Sequence, residues 1–147
     1  MLISEEDLAT LQKTIQNVEY LGGDIRRMLG SYQDDHTHDI AWEVDAAVEA
    51  LGVFGSRWTI EILTTLYIAG ERRFNELRHL LNGISSRTLS DKLRACTGKG
   101  LIERIVIEGP PVRVTYRLTP HGRRAGRLLG PLVAYMKTHQ GSVLSDS

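Results

Sequence analysis

The chain has little of several things, and each shortage narrows what it can be. It holds one cysteine in 147 residues, its aromatic fraction is 6%, and its formal charges cancel to zero. A lone cysteine excludes an intrachain disulfide and makes the cytoplasm the expected location. No apolar run approaches the roughly 20 residues that span a bilayer, and no signal-peptide pattern opens the chain, so no membrane partner is expected. Also missing are a phosphate-cradling glycine loop, paired histidine ligands on a helix and a Ser/His/Asp spacing. The expectation is therefore no catalytic residue, no metal and no cofactor. His79, His121 and His139 are scattered and read as surface residues.

The absent net charge hides an asymmetry. Residues 1–55 carry eleven acidic against three basic side chains, a net of −8, whereas residues 56–127 carry fourteen basic against six acidic, a net of +8. A basic middle suits a segment that meets phosphate. The plainer reading is that the two halves neutralise each other within one chain or across a dimer.

The densest signal runs from Ile84 to Ile102. Ser85 can cap a helix by accepting from an unpaired first-turn amide. Leu89, Leu93 and Cys96 then recur at helical spacing as one narrow apolar stripe. Opposite stand Ser86, Arg87, Ser90, Asp91 and Arg94, and Gly98 and Gly100 end the helix. A strand-like run, Leu101–Ile107, follows at once. After Gly109-Pro110-Pro111, which suits a turn, Val112–Leu118 alternates apolar and polar residues as a half-buried strand does. Thr119 as cap and Pro120 at the first helical position start a last helix, with a bend expected at Gly130-Pro131.

Upstream, Ile40–Val53 reads as a helix with Val44, Ala47, Val48 and Leu51 inward. Trp58–Ile68 is a helix around Trp58, Ile62, Leu63 and Leu66. Phe74–Leu81 is a short helix with Phe74, Leu77, Leu80 and Leu81 in the core. The order predicts a mainly α fold with a β-hairpin wing: a winged helix-turn-helix with extra N- and C-terminal helices. Domain expectations are 1–39 as a helical arm with an acidic linker, 40–139 as the DNA-binding domain with a C-terminal dimerisation helix, and 140–147 as a flexible tail. The linker holds Asp34, Asp35, His36, His38 and Asp39; a divalent-metal site there is weaker than the reading of a solvated linker.

From about Asp45 to Tyr135 the chain resembles the HxlR-type winged-helix regulators, relatives of the MarR-like group. Gly55-Ser56-Arg57-Trp58 looks like that family's Gly-Gly-Lys-Trp signature. Arg73-Phe74-Asn75-Glu76-Leu77 is similar to its Arg-Phe-x-Glu-Leu element, and Gly83-Ile84-Ser85-Ser86-Arg87-Thr88-Leu89-Ser90 to its entry into the recognition helix. Gly100-Leu101-Ile102-Glu103-Arg104 and Val114–Thr119 resemble the wing, and Gly122 stands where the final helix usually carries a glycine. The resemblance implies a DNA-binding transcription regulator. Many members place a redox-sensing cysteine thirteen residues before the signature tryptophan. Asp45 occupies that position here, which rules out thiol sensing at it. Cys96 falls on the buried seam, where an apolar setting raises a thiol's pKa and blocks access.

Ser86, Arg87, Ser90 and Arg94 are the expected readers of base edges or nearby phosphates. Arg87 is the best candidate for a bidentate contact to guanine; its alternative is an intrahelical pair with Asp91. Arg72, Arg73, Lys92 and Lys99 are expected on phosphates, and Arg113 beside the wing turn near the minor groove. Arg123, Arg124 and Arg127 form a basic face on the last helix. Ser85 and Thr88 read as structural.

One recognition helix covers few base pairs, so a C2 homodimer on an inverted repeat of double-stranded DNA is expected. Leu8, Leu11, Ile15, Val18, Leu128, Leu132 and Tyr135 are the expected dimer contacts. From Leu8 to Leu29 the apolar residues, with Gly22 counted as a seam position, follow a 3/4 spacing like a short coiled coil. Packing on its own domain accounts for that stripe equally well. Leu2–Leu8 is also similar to the end of a common epitope tag, although the apolar register runs on unbroken into Leu11 and Ile15. The rival function is a winged-helix protein-interaction module docking through the acidic arm. Whether a small-molecule effector exists is not legible from the residues.

Overall fold

Eleven leucines and isoleucines and one cysteine converge from three helices, a turn and a hairpin, and they position everything that follows. The computed structural model describes residues 1–33 and 39–146. Its elements are β1 (Leu2–Ile3), α1 (Glu5–Gly30), α2 (Ile40–Leu51), α3 (Thr59–Ala69), β2 (Arg72–Arg73), α4 (Phe74–Leu80), α5 (Ser86–Gly98), β3 (Ile102–Ile107), β4 (Arg113–Leu118), α6 (Pro120–His139) and β5 (Leu144–Ser145). A single 3-10 turn, Gly52–Phe54, precedes α3. The architecture is mainly helical with a small antiparallel wing, as the sequence predicts. No helix among the described residues is long and apolar enough to cross a membrane.

The chain divides into two compact units. The first comprises Val48–Gly126. Its core is Ile62, Leu63 and Leu66 from α3, Leu77 from α4, Leu81 and Ile84 from the following turn, Leu89, Leu93 and Cys96 from α5, and Leu101, Ile102 and Leu118 from the base of the wing. Leu77, Leu89 and Ile62 are wholly excluded from solvent. Val53, Phe54, Trp58, Phe74 and Tyr116 pack around them. The wing is a three-stranded sheet in the order β2-β4-β3 rather than a bare hairpin. Arg72 pairs with Tyr116 and Arg73 with Thr115 on one side of β4, and β3 runs antiparallel on the other from Ile102–Leu118 to Ile107–Arg113.

Two close approaches lock this unit. After α5 the backbone turns left-handed at Gly100 (φ 73°), so Leu101 N–H donates to Cys96 O at 3.1 Å and Gly100 N–H to Thr97 O at 3.0 Å. This is a Schellman ending, whose positive φ glycine adopts without backbone strain. At the start of α6, Thr119 Oγ1 donates to Gly100 O at 2.6 Å and accepts from Gly122 N–H at 3.0 Å, confirming it as the cap. A Cβ on Gly122 would stand 2.2 Å from Leu101 O, so α6 can cross the wing base only because that position is bare.

The second unit comprises Met1–Ala47 and Arg127–Ser147. Ser4 caps α1 by accepting from Asp7 N–H at 3.0 Å. Leu2–Ile3 and Leu144–Ser145 form a parallel two-stranded pair with Val143 buried beside it, so a segment expected to be a flexible tail carries a strand. Asp39 Oδ1 accepts from Trp42 N–H at 2.9 Å at the start of α2. Asp34, Asp35, His36 and His38 lie outside the described residues.

Several inward assignments fail. Val44, Ala47, Val48 and Leu51 of α2 are exposed, Val48 at 67%, because none of the described residues covers this apolar stripe. Leu80 is 55% exposed: Leu77 and, four residues on, Leu81 take the core positions, which leaves Leu80 on the outer side of the seven-residue α4. Trp58, by contrast, packs against the core as expected while half-buried, with a left-handed backbone (φ 77°) and the Arg57 guanidinium 5.1 Å from its ring centre. α6 continues through Pro131 as one helix to His139.

Candidate nucleic-acid interface

The two sides of α5 differ as sharply as its sequence implies. Leu89, Leu93 and Cys96 are at most 1% exposed, while Ser86, Arg87, Ser90 and Arg94 all lie in solvent. Ser85 Oγ accepts from Thr88 N–H at 3.1 Å and donates to Thr88 Oγ1 at 2.9 Å, so these two are structural, as expected. Among the described residues, neither Arg87 nor Arg94 takes part in an ion pair, so the Arg87–Asp91 pairing is not formed. Two guanidiniums on one helix side, with no partner among the described residues, keep all their donors free.

The expected phosphate-binding residues are placed unevenly. Arg73 is exposed on β2, while Arg72 is half-buried, with Nη1 donating to Glu71 O at 2.8 Å and Nε 3.9 Å from Glu76. Lys99 is exposed at the end of α5. Lys92 is half-buried and its ammonium donates to Ser56 Oγ, which ties α5 to the turn before Trp58. Arg113 is exposed at the tip end of β4, opposite Ile107. Arg123 is committed in part, donating from Nη1 to Leu118 O at 3.0 Å; Arg124 is exposed.

Three basic residues escape sequence reasoning. Arg78 on α4 donates from Nη1 to Ser86 Oγ at 2.6 Å, bridging the two helices of the helix-turn-helix. A pairing across a turn leaves no periodic trace; the only hint is a basic residue in the last turn of α4. Arg104 is exposed on β3. Arg117 on β4 is held by Glu103 at 2.6 Å and Glu71 at 3.7 Å, and Thr115 Oγ1 donates to Glu71 at 2.9 Å, so charges brace the wing across its strands.

Burial pushes the Cys96 thiol above its ordinary pKa, with Lys99, Lys92 and a hydrogen bond with Thr59 pulling more weakly the other way. It is a core residue. Of the expected dimer contacts, Leu8, Leu11 and Ile15 are half-buried, and Val18, Leu128, Leu132 and Tyr135 are exposed.

Comparison with known proteins agrees with this geometry. The HxlR-like helix-turn-helix family model matches residues 53–144. The HTH-type transcriptional regulator YtcD of Bacillus subtilis is 35% identical over 102 residues, 69% of this chain and 80% of its own. The crystal structure of ytcD superposes with a TM-score of 0.58 at 33% identity, covering 65% of this chain and 96% of that one. A MarR-family transcriptional regulator from Enterococcus faecalis gives 0.58 at 29% identity, covering 75% and 96%. The chain belongs to the HxlR-like family of helix-turn-helix transcriptional regulators.

Proposed function

We propose that this protein is a sequence-specific regulator that lodges α5 in the major groove of double-stranded DNA, lays the wing along the backbone or minor groove, and acts as a homodimer on an inverted repeat. The observation that carries the reading is α5 itself, buried on one side and presenting unpaired Arg87 and Arg94 with Ser90 on the other. Arg87 is the base reader, since its planar fork matches O6 and N7 of guanine. Arg73, Lys99 and Arg113 supply phosphate and flanking contacts that set register rather than sequence. Lys92 and Arg72, partly engaged within the chain, contribute less; Ser86, gripped by Arg78, contributes from a fixed position. On this reading, 40–139 is the DNA-binding part with its dimerisation helix, residues 1–39 are an added arm, and the protein works in the cytoplasm.

Two features favour duplex DNA over a protein partner at this face: the +8 charge of residues 56–127 and the family membership. Selection of bound duplexes from a random library, repeated with Arg87→Ala, tests the reading. Loss of one guanine preference with a drop in affinity of about 5- to 150-fold is expected, matching one bidentate base contact. Binding should also weaken steeply as salt rises. Unchanged affinity and preference in Arg87→Ala would assign the reading role elsewhere.

A further inference from the structure

Helix α1 lies wholly before the family-matched segment and buries no residue, although it runs for 26. Helices in water owe most of their stability to packing of an apolar side, so such a helix needs a neighbour. Its seam has a strict 3/4 spacing from Leu8 to Leu29. The first half of that seam is half-covered, but Val18, Ile25 and Leu29 are 38%, 56% and 52% exposed, with Leu21 and Met28 exposed beside them. Next to Ile15 an open groove of about 680 Å³ runs between Gln12, Gln16 and Glu19 of α1 and Tyr135, Thr138 and His139 of α6.

We propose that α1 pairs antiparallel with α1 of a second copy, the proposal resting on the homodimer reading above. Charge selects both occupant and direction. The first turn of α1 carries Glu5, Glu6 and Asp7, and its end carries Arg26 and Arg27. In heptad terms Leu8, Ile15, Gly22 and Leu29 are a positions, Leu11, Val18 and Ile25 are d positions, and Glu5 and Arg26 both fall at e. Antiparallel pairing stacks Leu8 on the partner's Ile25, Leu11 on the partner's Gly22 and Ile15 on the partner's Val18. It also sets Glu5 against the partner's Arg26, twice by symmetry, because e faces e in that arrangement. Parallel pairing would set Asp7 beside the partner's Gln12, Thr14 beside the partner's Glu19 and Leu21 beside the partner's Arg26. It gains no opposite-charge pair and gathers both acidic ends together.

The space agrees. Among the described residues, nothing beyond the adjoining backbone of α1 and the two chain neighbours lies within 4 Å of where a Gly22 Cβ would be, which leaves room for the partner's Leu11. The groove at Ile15 is where the central layer would receive the partner's Val18. Arg26 already holds Glu43 of its own chain at 2.9 Å, and its five donors suffice for both carboxylates.

Spin labels on cysteines introduced at Asn17 and at Thr10, in the full chain with buried Cys96 left in place, decide the matter by dipolar distance. Antiparallel pairing puts the two Asn17 labels almost level and separates the two Thr10 labels by about 20 Å along the axis, from the helical rise. Equal, short distances at both sites would mean parallel pairing and overturn the proposal. No coupling at either site in protein that light scattering shows to be dimeric would overturn it too, leaving the homodimer reading intact. A strict monomer at micromolar concentration would sink both, with the DNA-reading role of α5 tested separately by Arg87→Ala. As a second measurement, Arg26→Glu should weaken the dimer roughly two- to fivefold, and adding Glu5→Arg in the same chain should restore it. Absence of rescue, with helix content unchanged, would remove the charge argument.

Discussion

Helices α1 and α5 are both amphipathic, yet they stand in opposite relations to their chain. α5 buries Leu89, Leu93 and Cys96 completely and shows solvent a polar side rich in arginine. α1 is twice as long and buries nothing. An apolar side already covered leaves only the polar side to act, so α5 is free to meet a polar ligand. The bare half of the α1 seam, Val18, Ile25 and Leu29, has no polar chemistry to offer, and on the pairing proposed above it meets another hydrocarbon surface. What each helix can bind is thus set by what its own chain has already covered.

The comparison can be broken by truncation. Leu93→Ala should cost about 2–5 kcal/mol of unfolding free energy in urea melts, since it opens a cavity in a closed core. Ile25→Ala on α1, measured at a concentration low enough for single chains, should stay within about 0.5 kcal/mol, as exposed substitutions do. Equal losses would mean the two helices are covered alike. Next in size is Gly122→Ala. Its Cβ meets Leu101 O, a backbone atom with no rotamer to escape into, and a loss of about 1–3 kcal/mol in thermal or urea melts is expected.

The smallest effect concerns the seam of α5 itself. Because burial raises the folded-state pKa of Cys96 above its unfolded value, the thiol's contribution to stability is complete below the unfolded pKa. It is lost as pH climbs from there through the folded pKa, since only the unfolded chain readily gives up the proton. Stability measured from pH 8 to 10 should therefore fall more steeply in the native chain than in Cys96→Ala, whatever their offset. A thiol reagent should label Cys96 slowly until urea is added. Fast labelling of folded protein would contradict the buried seam.

Much of this was legible before any coordinates. Ser85 and Thr119 as caps, the α5 seam and the wing strands each rest on local chemistry, which sequence displays directly. The failures share a cause in non-local contact. The stripe of Val44, Val48 and Leu51 correctly implies an apolar helix side, but periodicity cannot say whether the covering surface belongs to the same chain. Strand β2 is two residues long, too short to alternate. The Arg78–Ser86 bridge and the Lys92–Ser56 bond join residues 8 and 36 apart. The same blindness applies to the site: it made Lys92 look as available as Lys99.

The cap at Thr119 has a mechanical meaning. One side chain grips both Gly100, where the chain leaves α5, and Gly122, in the first turn of α6, while Thr119 N–H donates to Leu101 O at 3.0 Å. Three short bonds around one residue, with bare Gly122 pressed on the same carbonyl, tie the start of α6 to the end of α5. The start of α6 cannot swivel without dragging the end of α5 with it. A push on the first turn of α6 is thus passed straight to the end of α5 through Thr119 and Gly122.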